Sequence, residues 1–146
     1  MTHPVSKAPP AALINSASRA LTRLNDRKLK QLGLTYGQMP VLVALSTGNA
    51  LSQKELAQLA RIEQPSMAQL LSRMERDGLV TRAPDPADGR ASLISLTARA
   101  KAKLPLARAA LEDTNDQALD GFGDKEVETL RKLLSRFLAN LETDRE

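Results

Sequence analysis

The sequence predicts a mainly α-helical fold carrying one small β hairpin. Three observations predict it. Ser52 and Glu55 form a capping signature; a second helical stripe runs from Gln64 to Arg76 between Pro65 and Gly78; and two β-like runs flank a segment rich in turn formers. In chain order these give helix, turn, helix and hairpin between Leu51 and Leu96, with longer helices on either side.

Residues Met1 to Pro10 hold three prolines (Pro4, Pro9, Pro10) and few apolar groups, which predicts a flexible arm. The remaining residues, 11–146, fit a single domain. From Ala11 to about Leu32, Leu13, Ala17, Leu21 and Leu24 recur at helical spacing, and Gly33 can close the helix. Arg19, Arg23 and Arg27 stand four apart on it, a cationic row that is either a solvated face or a reader of a ligand carboxylate. Thr35 to Leu45 supplies a shorter apolar helix ending at Gly48.

Ser52 stands three residues before Glu55, so hydroxyl and carboxylate can satisfy each other's open N–H groups at a helix start. Leu56, Leu59 and Ala60 form its apolar stripe, Gln53, Lys54 and Gln58 stay available to water or phosphate, and the helix should end near Arg61. About two residues later Gln64–Pro65 starts the next helix, where proline's missing N–H costs nothing. Met67, Leu70, Leu71 and Met74 bury one side and turn Ser66, Gln69, Ser72, Arg73 and Arg76 outward. From Leu79 to Arg82, and again from Ala91 to Leu96, the pattern is β-like, with a turn-forming segment Ala83–Gly89 between. This reads as a two-stranded wing whose returning edge begins with Arg90, and Asp88 is placed to hold Arg90. A short helix with polar outward residues beside a cationic finger is shaped to enter a DNA major groove and touch the groove beside it.

After the wing, Thr97 can cap a helix to about Leu119 with Pro105 as a bend, and Asp120–Gly123 breaks the chain. The final helix, Asp124 to about Glu142, carries Val127, Leu130, Leu134, Phe137 and Leu141 on one face, widened by Leu133 and Leu138. These terminal stripes exceed what a module of under about fifty residues can cover, so they require a partner surface. A two-fold dimer is the simplest one.

The 146 residues carry a net charge of +4 with an isoelectric point near 9.7, which modestly favours a polyanionic partner. Between Arg61 and Ser92, however, five arginines (61, 73, 76, 82, 90) face five acids (Glu63, Glu75, Asp77, Asp85, Asp88), so placement must matter more than total charge. There is no cysteine, which excludes disulfides, thiolate metal sites and thiol redox switching. The single histidine, His3, lies in the arm, leaving histidine catalysis and zinc no seat. With no glycine-rich phosphate loop or convincing carboxylate pair, neither an enzyme nor a metal or other cofactor is expected. The apolar runs are short and broken by charge, so no signal peptide or membrane span is expected and the protein should be cytoplasmic.

The segments Ile62–Met67 (IEQPSM), Arg73–Val80 (RMERDGLV) and Asp85–Arg90 (DPADGR) through Ser95–Thr97 resemble the winged-helix signature of the MarR/SlyA family of bacterial transcriptional regulators. Leu34–Met39 (LTYGQM) resembles the same family's second helix, and the similarity runs in order over nearly the whole chain. The resemblance implies a winged helix-turn-helix over residues 34–97, with residues 11–32 and 98–146 as dimerisation helices. It implies a cytoplasmic, dimeric, ligand-responsive repressor of transcription on a pseudo-palindromic operator in double-stranded DNA. On the matched positions, Ser66, Gln69, Arg73 and Gln64 would read bases. Arg90, Arg82, Arg76 and Lys54 would meet the backbone or minor groove, with Asp88 supporting the wing. Tyr36, Met39 and Arg23 would border a pocket for a small aromatic or phenolic acid effector. The chain departs from the SlyA-like branch at Gln69, where arginine is usual, and at Gly89, where a second basic residue is usual. The rival expectation is a helical adaptor that uses a winged helix to bind protein without DNA.

Overall fold

The computed structural model describes residues 3–143. Positions 1–2 of the expected arm and 144–146 of the expected terminal helical segment lie outside the described residues. Residues 3–9 carry no helix or strand, and α1 (Pro10–Leu29) begins on a proline at its first position. A 3-10 turn, Lys30–Leu32, follows it and Gly33 closes the segment at φ +71°, a left-handed conformation suited to glycine.

The helix expected over Thr35–Leu45 is divided into a 3-10 turn, Tyr36–Gln38, and α2 (Met39–Ala44). Pro40 is the physical reason: it has no N–H to return to the carbonyl of Tyr36, which the Met39 N–H takes in a tighter turn instead. Thr35 and Gln38 form a capping box there. The helix stops before Gly48, at its C-cap Leu45.

Strand β1 (Leu51–Ser52) leads directly into α3 (Gln53–Ala60), whose capping box joins Ser52 and Glu55 as expected. Leu56 and Ala57 are buried, whereas Leu59, expected in the stripe, is 63% exposed. At 100° per residue, a core face centred on Leu56, Ala57 and Ala60 turns Leu59 away from it. Three residues, not two, make the turn to α4 (Gln64–Arg76). Arg61 takes a left-handed φ of 56°, and the Ile62 N–H donates back to the Ala57 carbonyl at 3.0 Å.

Met67, Leu71 and Met74 are fully buried and fix how α4 is rotated, while Leu70 is only half-buried. Gly78, at φ +75°, ends this segment. Thr97 then ties it to the next helix: its hydroxyl donates to the Gly78 carbonyl at 2.7 Å and accepts from the Ala100 N–H at 3.1 Å.

The expected two-stranded wing is a three-stranded antiparallel sheet, ordered β1, β3 (Asp88–Leu96), β2 (Val80–Asp85). Leu51 pairs with Ile94, and Val80 with Leu96. The strands also run further than expected, narrowing the Ala83–Gly89 turn to Pro86 and Ala87. β2 can carry Pro84 because it lies on the edge of the sheet, where a missing N–H breaks no central ladder.

α5 (Ala98–Ala118) continues from Thr97 with Pro105 inside it. The chain divides into two compact units, one up to Leu111 and one from Glu112. The first holds the hydrophobic core, in which Leu29, Leu42 and Leu45 join Leu56, Met67, Leu71, Met74, Leu79, Val80 and Ile94. In the second, Gly121 at φ +83° lies in the break before α6 (Asp124–Thr143). No described residue of α6 is buried, and Leu130, Leu133, Leu134, Leu138 and Leu141 are 37 to 61% exposed. Leu13 and Ala17 of the α1 stripe are also exposed, and Leu21 and Leu24 are half-buried.

Chemical denaturation should show Leu71→Ala losing about 2–5 kcal/mol of stability and Leu59→Ala changing it by no more than about 0.5 kcal/mol. Equal losses would contradict the assigned rotation of α3 and α4.

Candidate nucleic-acid interface

With Met67, Leu71 and Met74 turned into the core, the 3.6-residue period fixes what the opposite side of α4 presents. Gln69 lies about 200° from Met67 on that wheel, on the crest of the helix, with Pro65 and Arg76 along the same line. Ser66 and Arg73 project from one flank of the crest, and Ser72 from the other. All six are exposed. Ala68, Gln69, Ser72 and Arg73 line an open groove of about 480 Å³ along this face.

A second groove, of about 500 Å³, separates the start of α3 and α4 from the wing. Gln53 and Lys54 line it from α3, Gln64 from the first turn of α4, and Arg82, Arg90 and Ser92 from the sheet. Gln64 therefore belongs with Lys54 and Arg90, and Gln69 with Ser72 and Arg73. Ser92 was not expected here. Its two-residue spacing from Arg90 is the available signal, since alternate strand residues share a face.

Three of the five acids counted against the five arginines, Glu75, Asp85 and Asp88, have local partners, as does Glu55 ahead of them, although Glu55, Asp85 and Asp88 also line this second groove. Glu55 accepts from the Ser52 N–H at 3.2 Å, Asp85 from the Ala87 N–H at 2.9 Å, and Asp88 from the Arg90 N–H at 3.0 Å. Glu75 lies 3.6 Å from Arg82 Nε. These carboxylates stabilise backbone turns or brace an arginine, while the Lys54 and Arg90 side chains project into solvent. Asp88 thus holds Arg90 through its backbone and not through its guanidinium. Arg82 is half-buried and shares its charge with Glu75, which joins the wing to α4 and leaves Arg82 less available than Arg90. This half-exposed pair orients more than it stabilises.

The residues expected to border an effector pocket occupy three different settings. Met39 is 3% exposed and belongs to the hydrophobic core, because the turn at Tyr36–Gln38 points it inward. Tyr36 is half-buried against that core, and its N–H donates to Asp26 Oδ1 at 2.7 Å. Arg23 is exposed on α1 with Arg19 and Arg27, and Arg19 donates to Ser16 Oγ at 3.3 Å. A cavity of about 280 Å³ does lie between the Thr35–Gln38 turn and α4, lined by Thr35, Gly37, Gln38, Leu70, Arg73 and Asp77. Among the described residues no helix is long and apolar enough to cross a membrane, and no three His, Cys, Asp or Glu side chains cluster as metal ligands would.

A helix-turn-helix braced by a three-stranded wing, its second helix outward-facing and polar, defines the winged helix-turn-helix class. A model described as the MarR family matches residues 32–91. The chain is 30% identical over 131 residues to the uncharacterized HTH-type transcriptional regulator YybA of Bacillus subtilis, covering 90% of this chain and 87% of that one. Its structure resembles that of a probable transcriptional regulator from Pseudomonas aeruginosa (TM-score 0.80, 31% identity, 88% of this chain and 96% of that one). It also resembles a mutant MarR from E. coli complexed with operator DNA (TM-score 0.81, 26% identity, 88% and 92%). This chain belongs to the MarR family of transcriptional regulators.

If Asp88 braces the wing as described, Asp88→Ala should speed hydrogen exchange of the Arg90 amide about 2- to 12-fold. The exposed site should leave the melting temperature nearly unchanged. An unaltered exchange rate would remove Asp88 from the wing's support.

Proposed function

We propose that the protein is a sequence-specific, DNA-binding transcriptional regulator that acts as a homodimeric repressor on a pseudo-palindromic operator. One observation carries this reading: the buried stripe of α4 leaves Ser66, Gln69 and Arg73 on an exposed polar edge, and the wing beside it presents Arg90 with its neighbouring acids bound to backbone. In this reading α4 enters the major groove, where Gln69 and Ser66 meet base edges together with Arg73 and Gln64. Arg90 reaches toward the minor groove, and Lys54, Arg76 and, less directly, Arg82 meet phosphates. The E. coli MarR relative solved on operator DNA supports the same partner for this chain.

The uncovered leucines of α6 and the exposed start of α1 support a two-fold dimer through the terminal helices. Two wings would then reach successive turns of one duplex, about 34–36 Å apart. Control by a small aromatic or phenolic acid is a further part of the proposal. Such a ligand acts only by preferring a spacing of the two reading helices that does not fit the operator. Exposed Arg23 and half-buried Tyr36 remain its candidate contacts, without Met39.

Duplex binding measured by fluorescence anisotropy across a salt series tests the reading. Affinity should fall steeply as salt rises, and Arg90→Ala should weaken binding and flatten the log–log slope by about 2, one contact from each protomer of the dimer. Absence of duplex binding at low salt would favour the protein-binding adaptor. In sedimentation, the unaltered chain should run as a dimer and Leu134→Asp as a monomer with reduced operator affinity; a monomer in both cases would overturn the dimer.

A further inference from the structure

We propose that Gln69 makes this protein select adenine at one position of its operator, once in each half-site. The inference deepens the DNA-reading function above and rests on it.

Gln69 occupies the crest of α4, opposite the buried stripe of Met67, Leu71 and Met74, and so points away from the hydrophobic core. Ala68 and Ser72, both small, share its open groove with Arg73 and leave the amide room to lie flat against a base edge. No described residue hydrogen-bonds the Gln69 side chain, so both its carbonyl and its NH₂ are available to a partner.

The chemistry of that amide decides the base. A carboxamide offers one acceptor and one donor side by side, and the major-groove edge of adenine presents the complement, a donor at N6 and an acceptor at N7. Guanine presents two acceptors there, which suit the twin donors of an arginine. The other crest residues do not compete for this pairing. Pro65 has no donor or acceptor in its side chain, and Arg76 lies about two turns further along, in the last turn of α4. Arg73, on the flank, is suited to guanine or phosphate.

Selection of binding sites from a random duplex pool, using the full chain and its Gln69→Arg and Gln69→Ala variants, tests the proposal. The unaltered chain should enrich adenine at a fixed half-site position, Gln69→Arg should enrich guanine at that position alone, and Gln69→Ala should lose preference there. Replacing that adenine by 7-deazaadenine should weaken binding of the unaltered chain about 5- to 150-fold and leave Gln69→Ala nearly indifferent. Identical selected sites for all three proteins would overturn the adenine assignment while leaving the regulator intact. Recovery of no site by the unaltered chain would overturn the DNA-reading function, and the assignment with it.

Discussion

The rotation of α4 about its own axis is the constraint on which the rest depends. Met67, Leu71 and Met74 are wholly withdrawn from solvent into a core that also contains Leu56, Leu79, Val80 and Ile94. A helix anchored along such a stripe has no rotational freedom, so each polar position on its far side is set by the buried ones. Pro65 marks where α4 begins and Gly78 where it stops, and the Thr97 hydroxyl secures the end by holding the Gly78 carbonyl. Sequence reading in a groove requires this kind of fixed presentation, because base-edge hydrogen bonds are directional.

Charge is organised by the same economy of short contacts. The acids near the wing do not form a screen of ion pairs around its arginines; Asp85 and Asp88 fold the hairpin tip by accepting N–H groups two residues onward, and Glu55 starts a helix. Lys54 and Arg90 therefore stay exposed beside acids that are engaged with backbone N–H groups. The shape of the wing and its electrostatics are consequently one property, and the Arg82–Glu75 pair extends it by fastening the wing to α4.

Much of this was legible in the sequence because it is local. The Ser52–Glu55 capping box, the helix start at Gln64–Pro65, the stop at Gly78 and the cap at Thr97 depend on side chains reaching a few residues along the chain, and the structure places all of them as expected. The features not legible are those that depend on distant partners. Strand β1 is only Leu51 and Ser52, and it exists through pairing with Ile94 and Leu93 some forty residues later. Leu59 has the right spacing for a stripe, yet the core forms around Ala57, so periodicity alone chose the wrong leucine. Met39 follows a turn whose tightness is set by Pro40, and that turn carries it into the core. On the site, exposure of Ser66, Gln69 and Arg73 followed from the helical period, whereas the grouping of Gln64 with Lys54 and Arg90 required the sheet to be in place.

The most direct test of the central claim is backbone amide chemical-shift mapping while a selected duplex is titrated into the full-length protein. The structure predicts perturbations concentrated at Gln53–Lys54, along Gln64–Arg73 and at Asp88–Arg90, with the buried stripe of α4 little affected beyond its own exposed neighbours. Perturbations centred on α6, with the α4 crest and the wing tip unchanged at saturating duplex, would contradict it.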